Sequence, residues 1–230
     1  MPSEHFIDND INLYLSYISE VKNLSKNTTS SYKRDLRKLS IFLDSISIKN
    51  YDEIDDSVCT SWLGNLYSLE NTPKTIQRHL SSAKGFFKFL KKNSIINSSP
   101  FELVKAPKSP SYLPEVLSPE DVSHLLNFKP SDALEIRDLA IVELMYSSGL
   151  RVSETANINL DDFEEEMSFL RVLGKGAKTR LVPIGRYAKN AIDNWVYERI
   201  KYSEDSNALC INLKGSRLSV RSIQLRLKRL

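Results

Sequence analysis

The chain has 230 residues, 41% of them hydrophobic and 27% charged, with 7 glycines and 9 prolines. That is enough for one large domain or two small ones with a real core, and it excludes collagen-like and glycine-rich low-complexity chains. Net charge is +3 and mean hydropathy −0.33. No run nears the roughly 18 apolar residues of a membrane span. The first ten residues lack the basic and apolar regions of a signal peptide. Cys59 and Cys210 lie far apart and in no metal-ligand spacing, which reads as free thiols in a reducing cytoplasm.

Charge is uneven. Residues 1–110 carry 15 basic and 12 acidic side chains, and residues 111–230 carry 17 of each. Three windows, 72–92, 171–189 and 214–230, are basic without a single acid. Such segregation fits either a polyanion surface or solvated helix faces whose acids lie elsewhere.

In chain order, Ile11, Leu15, Ile18 and Val21 predict a helix over 10–23 at the 3.6-residue period. A second starts near Asn27-Thr28-Thr29 and runs through Leu36, Leu39, Phe42 and Leu43. A third covers about 56–68. A fourth opens at Thr72-Pro73, a cap followed by proline at the first helical position. Its apolar face holds Ile76, Leu80, Ala83, Phe87 and Leu90. Its other stripe holds Lys74, Arg78, Lys84, Lys88 and Lys91, which a phosphate backbone would match. Five prolines between 97 and 119 then predict an extended linker, and so two domains: a helical one over 1–100, a linker over 101–117 and a second domain over 118–230.

Ser118-Pro119-Glu120-Asp121 is a helix start. A longer helix covers about 132–147 and ends at Ser147-Ser148-Gly149. A short one follows at Arg151–Ala156. Phe169–Leu173 and Arg180–Ile184 predict a strand pair flanking Gly174-Lys175-Gly176-Ala177-Lys178-Thr179. A helix over 186–201, a short strand over Ala208–Leu213 and a helical pattern over 218–230 complete the chain.

Two short elements carry chemistry. In Ser148-Gly149-Leu150-Arg151-Val152-Ser153-Glu154, glycine breaks one helix and an arginine sits at the mouth of the next. Free N–H groups and a planar guanidinium there can hold phosphate oxygens; the competing reading pairs Arg151 with Glu154 or Asp138 as a structural ion pair. In the second element, Lys175 stands between two glycines. It can donate a proton to a leaving oxygen, or be a solvated loop lysine.

The ordered array of helix, Gly-Leu-Arg-x-x-Glu, acidic turn at Asp161-Asp162, strand, Gly-Lys-Gly and a strand ending Val182-Pro183-Ile184 resembles the tyrosine recombinase family, with its nearest likeness to the Xer-type enzymes that resolve chromosome dimers. Thr72-Pro73-Lys74-Thr75-Ile76-Gln77-Arg78-His79-Leu80 looks like part of that family's core-binding, SAM-like domain. The resemblance implies a mainly α fold, with a SAM-like four-helix domain and the first part of an α+β catalytic domain bearing a small antiparallel sheet. It implies a tyrosine that attacks a DNA phosphodiester, becomes linked to the 3′-phosphate and releases a 5′-hydroxyl, without metal or nucleotide. Arg151 then steadies charge on the non-bridging oxygens, Lys175 protonates the leaving oxygen and Glu154 supports the arginine. Lys74, Arg78, Lys84, Lys88, Lys178 and Arg180 contact double-stranded DNA clasped between the two domains.

The family pattern continues with His-x-x-Arg and the tyrosine nucleophile. Here His5, His79 and His124 all precede Arg151, and none is followed by arginine at the third position. Tyr187, Tyr197 and Tyr202 come too early and read as helix-face aromatics. The chain therefore reads as a truncated recombinase whose apolar stripe from Val220 to Leu230 lacks packing partners, with no strand cleavage expected from it alone. The expectations are a cytoplasmic protein acting on DNA, with a possible second recombinase subunit and no membrane or small-molecule partner. The alternatives are an inactive DNA-binding protein of the same ancestry and a helical interaction module without nucleic acid.

Overall fold

The structure, a computed structural model, describes residues 5–109, 117–174, 178–203 and 205–230. The chain divides into two compact units, Met1–Leu113 and Pro114–Leu230.

The first unit is helical: α1 (Asp8–Ser16), α2 (Lys26–Ser45), α3 (Asp56–Ser68) and α4 (Pro73–Lys92). The helix predicted over 10–23 runs without a break to Val21, with Ile11, Leu15 and Ile18 in the core, but it is not α-helical throughout. After α1 the backbone widens into a π-helical segment, Tyr17–Val21. The start of α2 lies earlier than Asn27, because Ser25 accepts the Thr28 N–H and so caps the helix two residues upstream. Asp55 caps α3, and Thr72 caps α4 with Pro73 in its first turn.

The amphipathic stripes meet in one core containing Leu36, Leu39, Trp62, Ile76, Phe86, Phe87 and Leu90. Each large apolar side chain fully buried there contributes about 1.5–3 kcal/mol. The same core takes Phe101, which is 0% exposed, with Val104 packed beside it. Cys59 donates its thiol hydrogen to the Pro100 carbonyl, and Gln77 Nε2 donates to the Pro107 carbonyl at 2.8 Å. So 101–109, predicted as linker from its prolines, lies on the first unit. Prolines stop a helix, but they do not stop one aromatic side chain from anchoring an extended segment.

The second unit holds α5 (Pro119–Leu126), α6 (Ala133–Ser148), α7 (Val152–Asn157), α8 (Arg186–Arg199) and α9 (Val220–Leu227). It also holds β1 (Phe163–Glu164), β2 (Phe169–Leu173) and β3 (Thr179–Pro183), an antiparallel sheet in the order β1-β2-β3. Ser118 and Asp121 form a reciprocal capping box at α5. Asp132 caps α6, and Gly149 ends it at φ +59°, with the Gly149 N–H on the Met145 carbonyl. The sheet register pairs Leu170 with Val182 and Val172 with Arg180. Leu170 and Val172 are buried, so Arg180 lies on the inner face.

Ala208–Leu213 makes only isolated bridges, Asn159 with Ala208 and Ile211 with Arg217, instead of the predicted strand. The stripe on α9 does find partners, contrary to expectation. The helix packs on α6 and α7, and Ile223 is fully buried in a core shared with Ile141, Leu144 and Trp195. Polar ties fix its end of the unit. Buried Asp138 on α6 accepts Arg137 Nη2 at 2.7 Å and Arg226 Nε from α9 at 2.5 Å.

Candidate active site

The site is built where α6 gives way to α7. The left-handed turn at Gly149 is cheap for glycine alone, and it delivers Arg151 to the N-terminus of the next helix. There Glu154, one turn on, reaches back. Its Oε2 accepts the Arg151 N–H at 2.9 Å, and its Oε1 accepts Arg151 Nη1 at 3.1 Å. From β3, Arg180 donates Nη1 to Oε1 and Nη2 to Oε2, each at 3.0 Å. Four N–H donors match the acceptor capacity of one carboxylate.

The side chain of Glu154 is 5% exposed, whereas that of Arg151 is 73% exposed. Hydrogen bonding from Arg180, joined by the backbone and side chain of Arg151, pulls the Glu154 carboxyl from 4.5 down to about 2. It is therefore an anion at neutral pH, holding two guanidiniums and leaving one positive charge in excess. The pairing of Arg151 with Glu154 weighed in the sequence does form. It ties one nitrogen and leaves the rest of the fork in solvent, so a bound anion and the ion pair are compatible. Asp138, the other carboxylate weighed for Arg151, is occupied by Arg137 and Arg226.

The hairpin comes to the same carboxylate. A Cβ at Gly174 would lie 3.0 Å from Arg180 Nη1, 3.3 Å from the Lys178 carbonyl and 3.8 Å from Glu154 Oε1, so a side chain there would press on the Arg180 guanidinium and the Lys178 carbonyl. The Gly174 N–H donates to the Lys178 carbonyl at 2.9 Å. Lys175, which follows Gly174, lies outside the described residues. Lys178 is exposed at the foot of β3. At the other end, Ser148 Oγ donates to the Pro183 carbonyl and Ser147 Oγ accepts the Gly185 N–H, pinning the end of α6 to the strand that carries Arg180.

The remaining predicted cations lie on α4 of the first unit. Lys74 and Lys88 are exposed. Lys84 donates to the Glu102 carbonyl at 3.3 Å, and Lys91 lies 3.5 Å from the Glu102 carboxylate. Arg78 is paired with Asp35, a buried acid on α2 that was not among the residues singled out from the sequence. Its position next to Leu36 and four before Leu39, on the apolar stripe of α2, was the available signal. The acid-free windows are thus not acid-free in space. Arg78 meets Asp35, Arg171 meets Glu164, Arg180 meets Glu154 and Arg226 meets Asp138. Arg180 is a partner of Glu154 first, and its place on the inner face of β3 gives the reason. Among the described residues, no three His, Cys, Asp or Glu side chains gather as a metal-holding group.

Comparison with known proteins places this geometry. Residues 11–94 match the N-terminal SAM-like domain of phage integrases, and residues 115–230 match the phage integrase family. The chain is 38% identical over 223 residues to tyrosine recombinase XerC of Alcanivorax borkumensis, covering 95% of this chain and 72% of that protein. It is 36% identical over 214 residues to tyrosine recombinase XerD of Oceanobacillus iheyensis, covering 90% and 71%. Among solved structures, the XerH site-specific recombinase bound to difH substrate superposes with a TM-score of 0.72 at 18% identity, over all of this chain and 73% of that one, which shows the shared fold. The family match over 115–230 covers the stretch in which Glu154 gathers Arg151 and Arg180, and the chain belongs to the phage integrase family, the tyrosine recombinases.

Proposed function

We propose that this chain serves site-specific DNA recombination of the Xer type, in which strands are cut and rejoined through a 3′-phosphotyrosyl link, as in chromosome dimer resolution. The supporting observation is the exposed Arg151 guanidinium braced by a buried carboxylate that also holds the strand behind Gly174. In the proposed reaction a tyrosine oxygen attacks phosphorus and the bond to the 5′-oxygen breaks. Arg151 stabilises the charge that develops on the non-bridging oxygens. Lys175 supplies the proton that the departing 5′-oxygen takes up. Glu154 touches neither; it holds Arg151 at its angle. The bond energy stays in the phosphotyrosyl link, so the route calls on no metal or nucleotide.

Double-stranded DNA is the proposed partner, with Lys74, Arg78, Lys84, Lys88, Lys178 and Arg180 as candidate contacts and a second recombinase subunit as a further partner. Arg180 serves chiefly through Glu154. No helix among the described residues is long and apolar enough to cross a membrane. We place the protein in the cytoplasm, with the chromosome. We propose two domains, with the boundary between Ser109 and Ser118.

A second reading has its own observation: no His-x-x-Arg stands in the given sequence after Arg151. On that reading the chain binds DNA without cutting it. A nicked suicide duplex carrying the recombination site decides. The chain is expected to bind it, more weakly as salt rises, and to form no covalent adduct. Joining a segment with His-x-x-Arg and the tyrosine after Leu230 is expected to yield a 3′-phosphotyrosyl adduct that Arg151→Ala abolishes. An adduct insensitive to Arg151→Ala, or no duplex binding at low salt, overturns the recombinase reading.

A further inference from the structure

A charge buried between α2 and α4 has no part in the site above. The side chain of Asp35 is 2% exposed. An ionised carboxylate in such a place is costly unless it is paired. Burial raises its pKa, opposed first by the guanidinium of Arg78 and more weakly by Lys38 and Arg34. Two groups from α4 touch it. Arg78 donates Nη1 to Oδ2, and His79 Nδ1 lies 3.4 Å from Oδ1. His79 is fully buried in a T-shaped contact with Trp62, and burial pulls its imidazole from 6.5 down to about 4. It is neutral, so Arg78 is the one cation of the two. The Arg78 side chain is 40% exposed, with Nη1 also 3.5 Å from the Ser31 carbonyl. One edge of the guanidinium is therefore gripped by α2 while the remainder emerges on the side of α4 that exposes Lys74 and Ser81.

A free arginine must freeze several rotors to make a two-pronged contact, whereas one already held loses little. We propose that Asp35 is a positioning residue, which fixes the guanidinium of Arg78 so that its free edge meets a pair of acceptor atoms on duplex DNA. This rests on the reading that α4 faces DNA.

The test uses the full chain and a fluorescent duplex carrying the recombination site, titrated at fixed salt by anisotropy, with circular dichroism to establish folding. Asp35→Asn keeps the shape and removes the charge. It is expected to weaken binding by about 3–10-fold, the entropy of one released side chain. Arg78→Lys keeps the charge and loses the fork, and it is expected to cost as much. The double variant is expected to be no worse than either. Wild-type binding with an unaffected Asp35→Asn, additive losses, or an Arg78→Lys chain that binds like wild type overturns the inference while leaving DNA binding intact. The Arg78→Lys result stands even where Asp35→Asn fails to fold. A wild-type chain that binds no duplex at low salt fails the DNA reading and this inference together.

Discussion

Arg180 sets both terminal nitrogens of its guanidinium on the two carboxylate oxygens of Glu154, each at 3.0 Å, and Arg151 adds a backbone and a side-chain bond to the same pair of oxygens. Glu154 thereby joins β3 to the N-terminus of α7. Whatever Arg151 holds is held through this carboxylate, so the sheet and the helix cannot shift independently without moving the arginine.

Replacing Glu154 with Gln removes the charge and leaves donors facing an amide. Loss of a buried, charge-assisted acceptor costs about 1–3 kcal/mol. The pH dependence has a definite sign. The folded carboxyl titrates near 2, below its usual 4.5, so its stabilisation is complete above pH 4.5 and disappears as pH falls from 4.5 towards 2. Urea unfolding at pH 7 is expected to separate wild type from Glu154→Gln, and the gap is expected to close as pH is lowered through that window. A gap independent of pH means that the carboxylate charge is not what holds the two arginines.

Gly149 stands at φ +59° with open space where a Cβ would be, so the cost of a side chain there is conformational and not steric. Gly149→Ala is expected to lose about 1–2 kcal/mol. Gly149→Asn is expected to lose less, because Asn tolerates the left-handed region better. Both are read from urea midpoints. Equal losses for Ala and Asn would point to a cause other than backbone conformation.

Asp138 is 1% exposed and holds Arg137 of its own helix and Arg226 of α9. Removing the carboxylate in Asp138→Ala strands both cations and is expected to cost about 3–5 kcal/mol. Arg226→Ala is expected to cost less, since that side chain is partly solvated. Hydrogen exchange reports the location: both variants are expected to speed exchange of the α9 amides ahead of those in α6. Uniform acceleration throughout the unit argues that α9 is held by Ile223 and its neighbours alone.

The helices were legible because their ends carry chemistry. Thr72-Pro73 and Ser118-Pro119 announce α4 and α5, and Gly149 announces the end of α6. At α2 the signal was present but misplaced, since small polar residues lie on both sides of its start and Ser25 is the one whose oxygen accepts a backbone amide. A two-residue strand such as β1 shows no alternation and was invisible. Phe101 was hidden by the prolines around it, because a linker and an anchored extended segment share one composition. At the site, Arg151 and Glu154 were readable from their spacing within one turn. The grip on Arg180 was not, because it depends on strand register. Once Val172 is known to face inward, the residue opposite must too.

Tyr14 and Gly85 give a test in which a substitution changes sign. Gly85 lies inside α4, where alanine would ordinarily be favoured by about 1 kcal/mol. A Cβ at that position would stand 2.3 Å from the Tyr14 hydroxyl and 3.4 Å from the ring carbon that bears it. The ring cannot easily retreat, since it is buried and packs edge-on with Phe86 and at a tilt with Phe89. Gly85→Ala is therefore expected to destabilise the first unit by about 1–3 kcal/mol through overpacking, despite the better helix former. In Tyr14→Phe the offending oxygen is gone and the remaining approach is tight but tolerable. Gly85→Ala made in that background is expected to be neutral or to stabilise by up to about 1 kcal/mol. The two changes thus couple with opposite sign to their separate effects, and a thermal or urea double-mutant cycle measures it. An additive cycle means that the hydroxyl is not what reserves position 85 for glycine.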